Sequence, residues 1–577
     1  MIIRVLLALA LSVPPVMGPD DVGKSACPVA VPDHTTCGFL VVPERRDTPG
    51  KTLKVGYAVH TSTAKDRKPD PVVYMSGGPA SASMQLTGFL SQMFPDRDVV
   101  TVEQRGSKYS QPTLGCPETA EAMLDRLREP SADVGAAALK CRERLRQQGV
   151  DLRGYTTKEI TADVVQLRTT LGYPTWNLFG VSYSTRVMMD VAAADPAGVR
   201  SVVLDSYLPE NVGWYDDADR NLTDTVAKLG LREPFEAMVT RLNARPARVP
   251  TTDPLLGTGF TARLTGDDVA TIMAEALHEA DVIAVAPALI DALGKGHDEL
   301  LRPLADAVGD GLVSHEFGLY HAVQCQDEVP TNTFTTKSRL FTVNSDKAVC
   351  DAWKLPKSAA VNATTKAPVL VVGGQYDPTT PTRTSEPAAK ALPNARFVEF
   401  AGTGHAVFLV NGCARRHILA FVDTPSGGAA ATPASAPCSP EQAAVYPRLN
   451  PADVRVTGAP YQISLSPWLA APFALFALVS LIQFVTGALK GRALAAFAGL
   501  TGTAFTGLVG AAVWSLVQEN ETALAVGLPA SAWPYTWVAV GSAVLTLGAL
   551  ARRPGQPQAV SAVTAAGFLV WWFAWVL

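Results

Sequence analysis

A large excess of charge of one sign is missing from this sequence. Its 577 residues carry 49 lysines and arginines against 53 aspartates and glutamates, a formal net charge of −4. So even a balance gives no electrostatic case for a nucleic-acid partner. Histidine is scarce, at 8 residues, and no Cys-x-x-Cys or paired Cys/His spacing suggests a zinc site. No internal repeat is evident. Charge is also absent from the interiors of four C-terminal apolar stretches, roughly Trp468–Leu489, Ala493–Val517, Tyr535–Ala551 and Ala559–Leu577. Ionisable groups inside a membrane usually mark ion or substrate paths, so transport is not expected of this region.

What is present points to several folding units, because the chain is too long for one core. Each C-terminal stretch approaches the ~20 residues that span a bilayer. Lys490 and Arg492 separate the first two, and Arg552 and Arg553 separate the last two. The positive-inside rule places both loops in the cytoplasm and everything before Trp468 outside. Trp468, Trp514, Trp533, Trp537, Trp571, Trp572 and Trp575 all fall near the expected outer interface. Gln483 is the most polar central residue, and Gly499, Thr503 and Gly507, spaced by four, suit close helix packing. At the other end, residues 1–18 read as a signal peptide, with Arg4, an apolar run Val5–Val13 and Val16-Met17-Gly18 as cleavage site. Pro19 is a poor residue to follow a cut, so an uncleaved anchor is the rival reading.

All eight cysteines lie in the exported part: Cys27, Cys37, Cys116, Cys141, Cys325, Cys350, Cys413 and Cys438. An even count in an oxidising compartment reads as disulfides. Sequence leaves the connectivity open, and pairing neighbours in order is the expectation adopted.

Short β-rich runs occur at Gly38–Pro43, Leu53–His60, Pro71–Ser76, Asp98–Glu103, Trp176–Val181, Val199–Asp205, Pro368–Gly373 and Ala395–Phe400. Several are almost wholly apolar, as strands covered on both faces must be. Helical patterns separate the later ones, and Thr156 with Glu159 forms a capping box. The fold class is therefore α/β with a mostly parallel sheet. From residue 208 to 356 the pattern turns helical with weak strand signals, which reads as a cap over the carboxyl ends of the strands. The expected organisation is signal peptide 1–18, core 19–207, cap 208–356, core 357–425, an Ala/Pro/Ser/Gly-rich linker 426–462 and four transmembrane helices in 463–577.

The most informative stretch is Gly180-Val181-Ser182-Tyr183-Ser184, between an apolar strand and a helix start. A serine on such a turn stands clear of the sheet, with the helix N-terminus and the next N–H ready to stabilise an oxyanion. Its hydroxyl needs a base and an oriented acid, which in this order follow as Asp and then His. Asp377 lies in a turn just past the 368–373 strand, and His405 in a glycine-rich loop past the 395–400 strand. Ser76-Gly77-Gly78-Pro79 follows an early buried strand, where glycines let backbone approach a substrate.

On these segments the chain resembles the proline iminopeptidase and tripeptidyl aminopeptidase family of α/β-hydrolases. Cys37–Glu44, Ser76–Pro79, Glu103–Ser107, Gly180–Thr185, Val202–Ser206, Gln375–Pro378 and Gly402–His405 carry the likeness over roughly residues 25–440. The resemblance implies an α/β-hydrolase fold with a helical cap and Ser182, Asp377 and His405 as nucleophile, orienting acid and base. It implies Gly78 and Tyr183 as oxyanion donors, peptides with free N-termini as substrates, and no metal or cofactor. The segment Cys325–Pro330 is similar to an acidic family segment, making Asp327 and Glu328 candidates to hold the substrate ammonium. Four positions depart from the family: Ser184 and the pair Ala80-Ser81 replace glycines, and Glu103 replaces an aspartate.

The expected protein is thus a membrane-anchored extracytoplasmic serine aminopeptidase, held in the bilayer by its C-terminal helices. The alternatives are a carboxylester hydrolase using the same triad, or a hydrolase-fold binding protein with weak activity.

Overall fold

The computed structural model describes residues 26–48, 50–128, 132–358, 363–425 and 446–577. The expected signal peptide and most of the expected linker, Cys438 included, lie outside these.

Eight strands form one sheet: β1 (Thr35–Pro43), β2 (Thr52–His60), β3 (Val72–Met75), β4 (Val99–Val102), β5 (Trp176–Val181), β6 (Val199–Asp205), β9 (Val369–Gly374) and β10 (Ala395–Phe400). Their order is β1-β2-β4-β3-β5-β6-β9-β10. β1 and β2 are antiparallel to their neighbours, and every pair from β4 to β10 is parallel. The apolar runs have a simple cause. Along β5, Leu178 packs into a cluster on one face while Phe179 and Val181 pack into the cluster on the other. Val202 and Val203 on β6, and Val371 and Val372 on β9, divide in the same way. A period of two with both faces covered leaves no polar position in the strand centres.

Between β6 and β9 lies a largely helical unit with its own apolar core. It also contains a hairpin, β7 (Ala247–Thr252) and β8 (Gly259–Leu264), which the sequence signalled only weakly. Alternate residues Ala247, Val249, Ala262 and Leu264 are buried, so the hairpin turns one face onto the helices.

Three disulfides join Cys27–Cys37, Cys116–Cys141 and Cys325–Cys350. Cys413 is disulfide-bonded too, and its expected partner Cys438 lies outside the described residues.

Four C-terminal helical segments, Pro467–Leu489, Ala493–Ala525, Ala532–Arg552 and Gln556–Val576, are long and apolar enough to cross a membrane. The stripe expected at Gly499, Thr503 and Gly507 is only partly used. A side chain at Gly499 would overlap backbone of Phe484 and Ser480, whereas Gly507 has nothing within 4 Å. The packed face is instead Ala495, Ala498, Gly499, Gly502, Phe505 and Val509, a repeat near 3.5 residues rather than four. Gln483 is satisfied inside the bundle by Thr546 at 3.2 Å.

The described end of the expected linker is not free. Leu449 donates to the Ala284 carbonyl at 2.9 Å, and Val454–Val456 pairs with Gly527–Pro529. Leu449 and Val454 are buried in the core of that helical unit together with Ala523 and Val526 of the C-terminal helical region. Those four apolar side chains explain why a segment of linker-like composition is docked. Polar contacts add to them: Asn520 Nδ2 donates to the Asp281 carbonyl at 2.9 Å, and Thr522 Oγ1 to the Asp281 carboxylate at 2.5 Å.

Candidate active site

Ser182 has φ 57°, a left-handed conformation rare for a side chain other than glycine. The strand β5 ends at Val181 and the helix Ser184–Ala194 begins three residues later, so the chain turns across Ser182 and Tyr183 alone. Strain of this kind, held by surrounding structure, is the mark of the nucleophile elbow. Two features hold it. A side chain at Gly180 would meet the Ser184 carbonyl at 2.7 Å, so the helix can only pass this close over a glycine. The Ser184 hydroxyl, fully buried, accepts from the Val181 N–H at 2.8 Å and donates to the Met75 carbonyl at 2.7 Å. The serine that replaces a family glycine therefore ties the elbow to β3.

Asp205, at the end of β6, connects the elbow to the histidine loop. Its carbonyl accepts from the Ser182 N–H at 2.9 Å, and its carboxylate accepts from the Val407 and Phe408 N–H groups at 3.0 and 2.8 Å. Ser206 Oγ accepts from the Ala406 N–H at 2.9 Å. Burial pushes the Asp205 carboxyl up to about 6, while those two N–H groups pull it down. Sequence reading passed over Asp205 as part of a strand. The one available signal was its position at a strand end beside the candidate serine.

His405 Nδ1 lies 2.8 Å from Asp377 Oδ2. Asp377 also accepts from the N–H groups of Thr379 and Thr380, both at 2.8 Å, and from Thr380 Oγ1 at 2.7 Å. Burial opposes ionisation of Asp377, but the charge and hydrogen bond of His405 hold its carboxyl well below the usual range. Burial likewise opposes a charged His405, and the Asp377 carboxylate overrides it, raising the imidazole above 6.5. The structure thus joins two of the three expected residues directly. Ser182 Oγ makes no hydrogen bond among the described residues, and its link to His405 runs through Asp205 and Ser206.

The glycine loop is built around the elbow. A side chain at Gly77 would meet Ser182 Cβ and the Val181 carbonyl, both at 2.8 Å. Gly78 has φ 104°. Gln104, another residue missed from sequence, clamps the loop: Nε2 donates to the carbonyls of Ser76 and Gly77, and Oε1 accepts from the Ala80 N–H. Glu103 accepts from the N–H groups of Ser83 and Met84 just beyond it. Ala80 sits at φ 81°, where glycine costs less. Neither the Gly78 nor the Tyr183 N–H has a partner among the described residues. Two unpaired donors flank the serine.

Asp327 and Glu328 lie beside the start of the helix Ser184–Ala194, and both have partners. Glu328 forms a buried ion pair with Arg186, four residues past Ser182. Asp327 accepts from the N–H and hydroxyl of Thr157, both at 2.7 Å, and from Ser358 Oγ. Thr157 Oγ1 in turn contacts the Tyr183 hydroxyl at 2.9 Å. Sequence reading missed that Asp190 belongs to the same cluster. Burial and the neighbouring Glu210 push its carboxyl up to about 8, and its Oδ1 has no partner.

The family model for the alpha/beta hydrolase fold matches residues 70–230, and that for TAP-like protein matches residues 340–433. The chain is similar to the tripeptidyl aminopeptidases of Streptomyces lividans and Streptomyces coelicolor. It is 23% identical to each over 457 residues, covering 68% of this chain and 82% of theirs. It has the α/β-hydrolase fold and is similar to the tripeptidyl aminopeptidases. Solved structures similar to this hydrolase include the proline iminopeptidase of Mycobacterium smegmatis, at 16% identity and TM-score 0.38, covering 67% of this chain and 98% of that one. A thermophilic esterase from Thermogutta terrifontis matches at 15% identity and TM-score 0.33, covering 67% and 99%.

The raised imidazole of this hydrolase has a kinetic consequence. If His405 serves as the base for Ser182, it must be neutral to accept the proton, so kcat/KM should rise with pH through an inflection above 6.5 and be lost below it. A pH–rate profile between 5 and 9 on any turned-over ester or amide checks this. An inflection below 6.5 would contradict the pairing.

Proposed function

We propose that this hydrolase is a membrane-anchored, extracytoplasmic serine peptidase that cleaves short segments from free peptide N-termini. The observation that carries the reading is the His405–Asp377 ion pair past the ends of β10 and β9, tied through Asp205 and Ser206 to the left-handed Ser182, with the Gly78 and Tyr183 N–H groups unpaired among the described residues.

In this mechanism Ser182 Oγ attacks the scissile carbonyl carbon while His405 Nε2 takes its proton. Asp377 fixes the Nδ1–H tautomer and offsets the imidazolium charge. The oxyanion is met by the Gly78 and Tyr183 N–H groups, whose strength comes from being fixed before the charge develops. Collapse breaks the C–N bond, and His405 returns the proton to the departing amine. Water then attacks the acyl-enzyme ester, again giving its proton to His405, and Ser182 is released.

Recognition of a free N-terminus requires surplus negative charge. The cluster one turn past Ser182 holds four carboxyl groups, Asp190, Glu210, Asp327 and Glu328, around the guanidinium of Arg186. Burial raises Asp190, Glu210 and Asp327, and neighbouring carboxylates raise Asp190 and Glu210 further. A substrate ammonium would relieve that excess. Because Glu328 already neutralises Arg186, the role assigned from sequence to the pair Asp327 and Glu328 is proposed for Asp327 together with Asp190.

Anchoring rests on the four apolar helices. The second helical segment ends against the cap through Asn520 and Thr522, so the basic loops at Lys490 to Arg492 and Arg552 to Arg553 lie at the opposite ends of their helices. That arrangement, with the positive-inside rule, supports a catalytic domain outside the cytoplasm.

The test is a panel of aminoacyl- and tripeptidyl-amides, free and N-acetylated, beside simple esters, run with Ser182→Ala as control. Free termini should be cleaved at least about 100-fold faster than acetylated ones, since a buried anion left without its cation is costly. Asp327→Asn should raise KM with kcat less affected. Equal cleavage of blocked and free substrates would remove the aminopeptidase claim, and cleavage of esters alone would favour an esterase.

A further inference from the structure

One residue of the helical insertion contacts His405 directly and reaches Asp377 through Thr379. The corner between the cap helices Gly266–Ala276 and Ala280–Gly294 carries His278. The His278 carbonyl accepts from the His405 N–H at 3.0 Å. Its ring lies over the His405 ring, with centroids 4.8 Å apart and planes 31° from parallel. Its Nε2 sits 2.5 Å from Thr379 Oγ1, and the Thr379 N–H is one of the donors that fix Asp377 Oδ1. This approach needs glycine at 404, where a side chain would meet the His278 and Leu277 carbonyls at 2.5 and 2.6 Å. From its far side the corner is gripped by Asn520 and Thr522 at Asp281.

We propose that His278 is a positioning residue for the catalytic pair, supplied by the cap rather than by the sheet. The claim rests on the serine-hydrolase reading above. Stacking restricts the plane of the His405 ring while Nδ1 is held by Asp377, and the Thr379 contact steadies the acid turn. The ring must be neutral to do this, since a second cation would repel the imidazolium formed during acylation. Burial and His405 both hold His278 far below the ordinary histidine value. Glu275, whose Oε2 is 3.7 Å from His278 Nδ1, lies on the same corner with Glu279, while Asp377 and His405 face it from the core. Thr379 Oγ–H donating to Nε2 leaves the proton on Nδ1, towards Glu275.

The experiment measures the rate of Ser182 labelling by a fluorophosphonate against pH, on the full-length membrane protein, for wild type, His278→Ala and His278→Phe. Labelling depends on the base and not on which substrate is natural. His278→Ala should slow it by about 10-fold or more, as expected when a catalytic base is loosened. It should also move the acid limb to higher pH, because water entering the vacated space removes the burial that lowers His405. His278→Phe keeps the stack and the dry surface, so its limb should stay with wild type. Wild type that does not label at all sinks the serine-hydrolase reading. Wild type that labels, with a folded His278→Ala of equal rate and unchanged limb, sinks the positioning role. Should the alanine variant fail to fold, a His278→Phe limb displaced as far as one pH unit would equally overturn the claim.

Discussion

Asp377→Asn is expected to lower kcat/KM by about 10⁴-fold while leaving the protein folded. The carboxylate divides its work. Oδ1 accepts from the Thr379 and Thr380 N–H groups and shapes the turn, whereas Oδ2 accepts from Thr380 Oγ1 and His405 Nδ1. An asparagine can keep its oxygen in the Oδ1 place and so keep the turn. Its NH₂ group then faces Nδ1 as a donor, which forces the imidazole proton onto Nε2. An Nε2–H cannot accept the Ser182 proton. The residual activity should carry a second signature. With the raising charge gone and the burial retained, the acid limb should fall from above 6.5 to below it. Steady-state kinetics across pH, with thermal unfolding as the check on folding, decides the matter. A loss smaller than tenfold, or a limb that stays in place, would mean that Asp377 does not orient the base.

Gly77→Ala is the second large effect, and it acts through sterics alone. The added methyl would sit 2.8 Å from both Ser182 Cβ and the Val181 carbonyl, and 3.3 Å from Ser182 Oγ. Two of those atoms belong to backbone or to its first side-chain carbon, so neither can rotate away. Either the elbow or the Gly77-Gly78 loop must shift by several tenths of an ångström. The loop is pinned by Gln104 and the elbow by Ser184 and Asp205, so displacement propagates to the oxyanion donors. We expect kcat/KM to fall about 100-fold or more, with about 1–3 kcal/mol of stability lost to overpacking. Gly88→Ala is the control. It lies in the helix Thr87–Met93 with only Pro32 Cδ near, at 3.7 Å, and should leave activity unchanged. Equal kinetics for both variants would show that the Gly77 contact has no catalytic consequence.

Much of this site could be read before any coordinates. β5 and β6 begin and end at the residues expected from their apolar runs, because strands covered on both faces leave a nearly unbroken hydrophobic signature, and the half-buried edge strand β10 keeps its expected ends as well. Ser182, Asp377 and His405 stand in loops directly after such strands, so their placement followed from the strand ends. The hairpin Ala247–Thr252 with Gly259–Leu264 was less legible. It covers one face only, and its exposed positions carry Arg248, Pro250 and Thr252, which blur the alternation.

Polar partnerships were the least legible part. Asp327 and Glu328 looked like free anions because their neighbours are far away in sequence: Arg186 lies 142 residues from Glu328, and Thr157 lies 170 from Asp327. The same limit hid Asp205, whose carboxylate reaches 202 residues forward to Val407. His278 had no signal at all, being one histidine at the corner of a helical insertion. In the C-terminal region, composition marked four apolar helices long enough to cross a membrane but not their contact face. Gly499 and Gly507 are alike as residues, and only the neighbouring helix distinguishes them.

The sequence by itself determined what is local: which runs are buried on both sides, where each strand stops, and which reactive side chains stand at those stops. Periodicity and covalent spacing are properties of adjacent residues, so they survive in one dimension. The tertiary structure alone decided which carboxylates are neutralised, which N–H groups remain unpaired, and that the cap lays a second imidazole against the first. Those depend on which distant groups share a few ångströms of low-dielectric space, where the energy of a charge is set by its neighbours rather than by its own position in the chain.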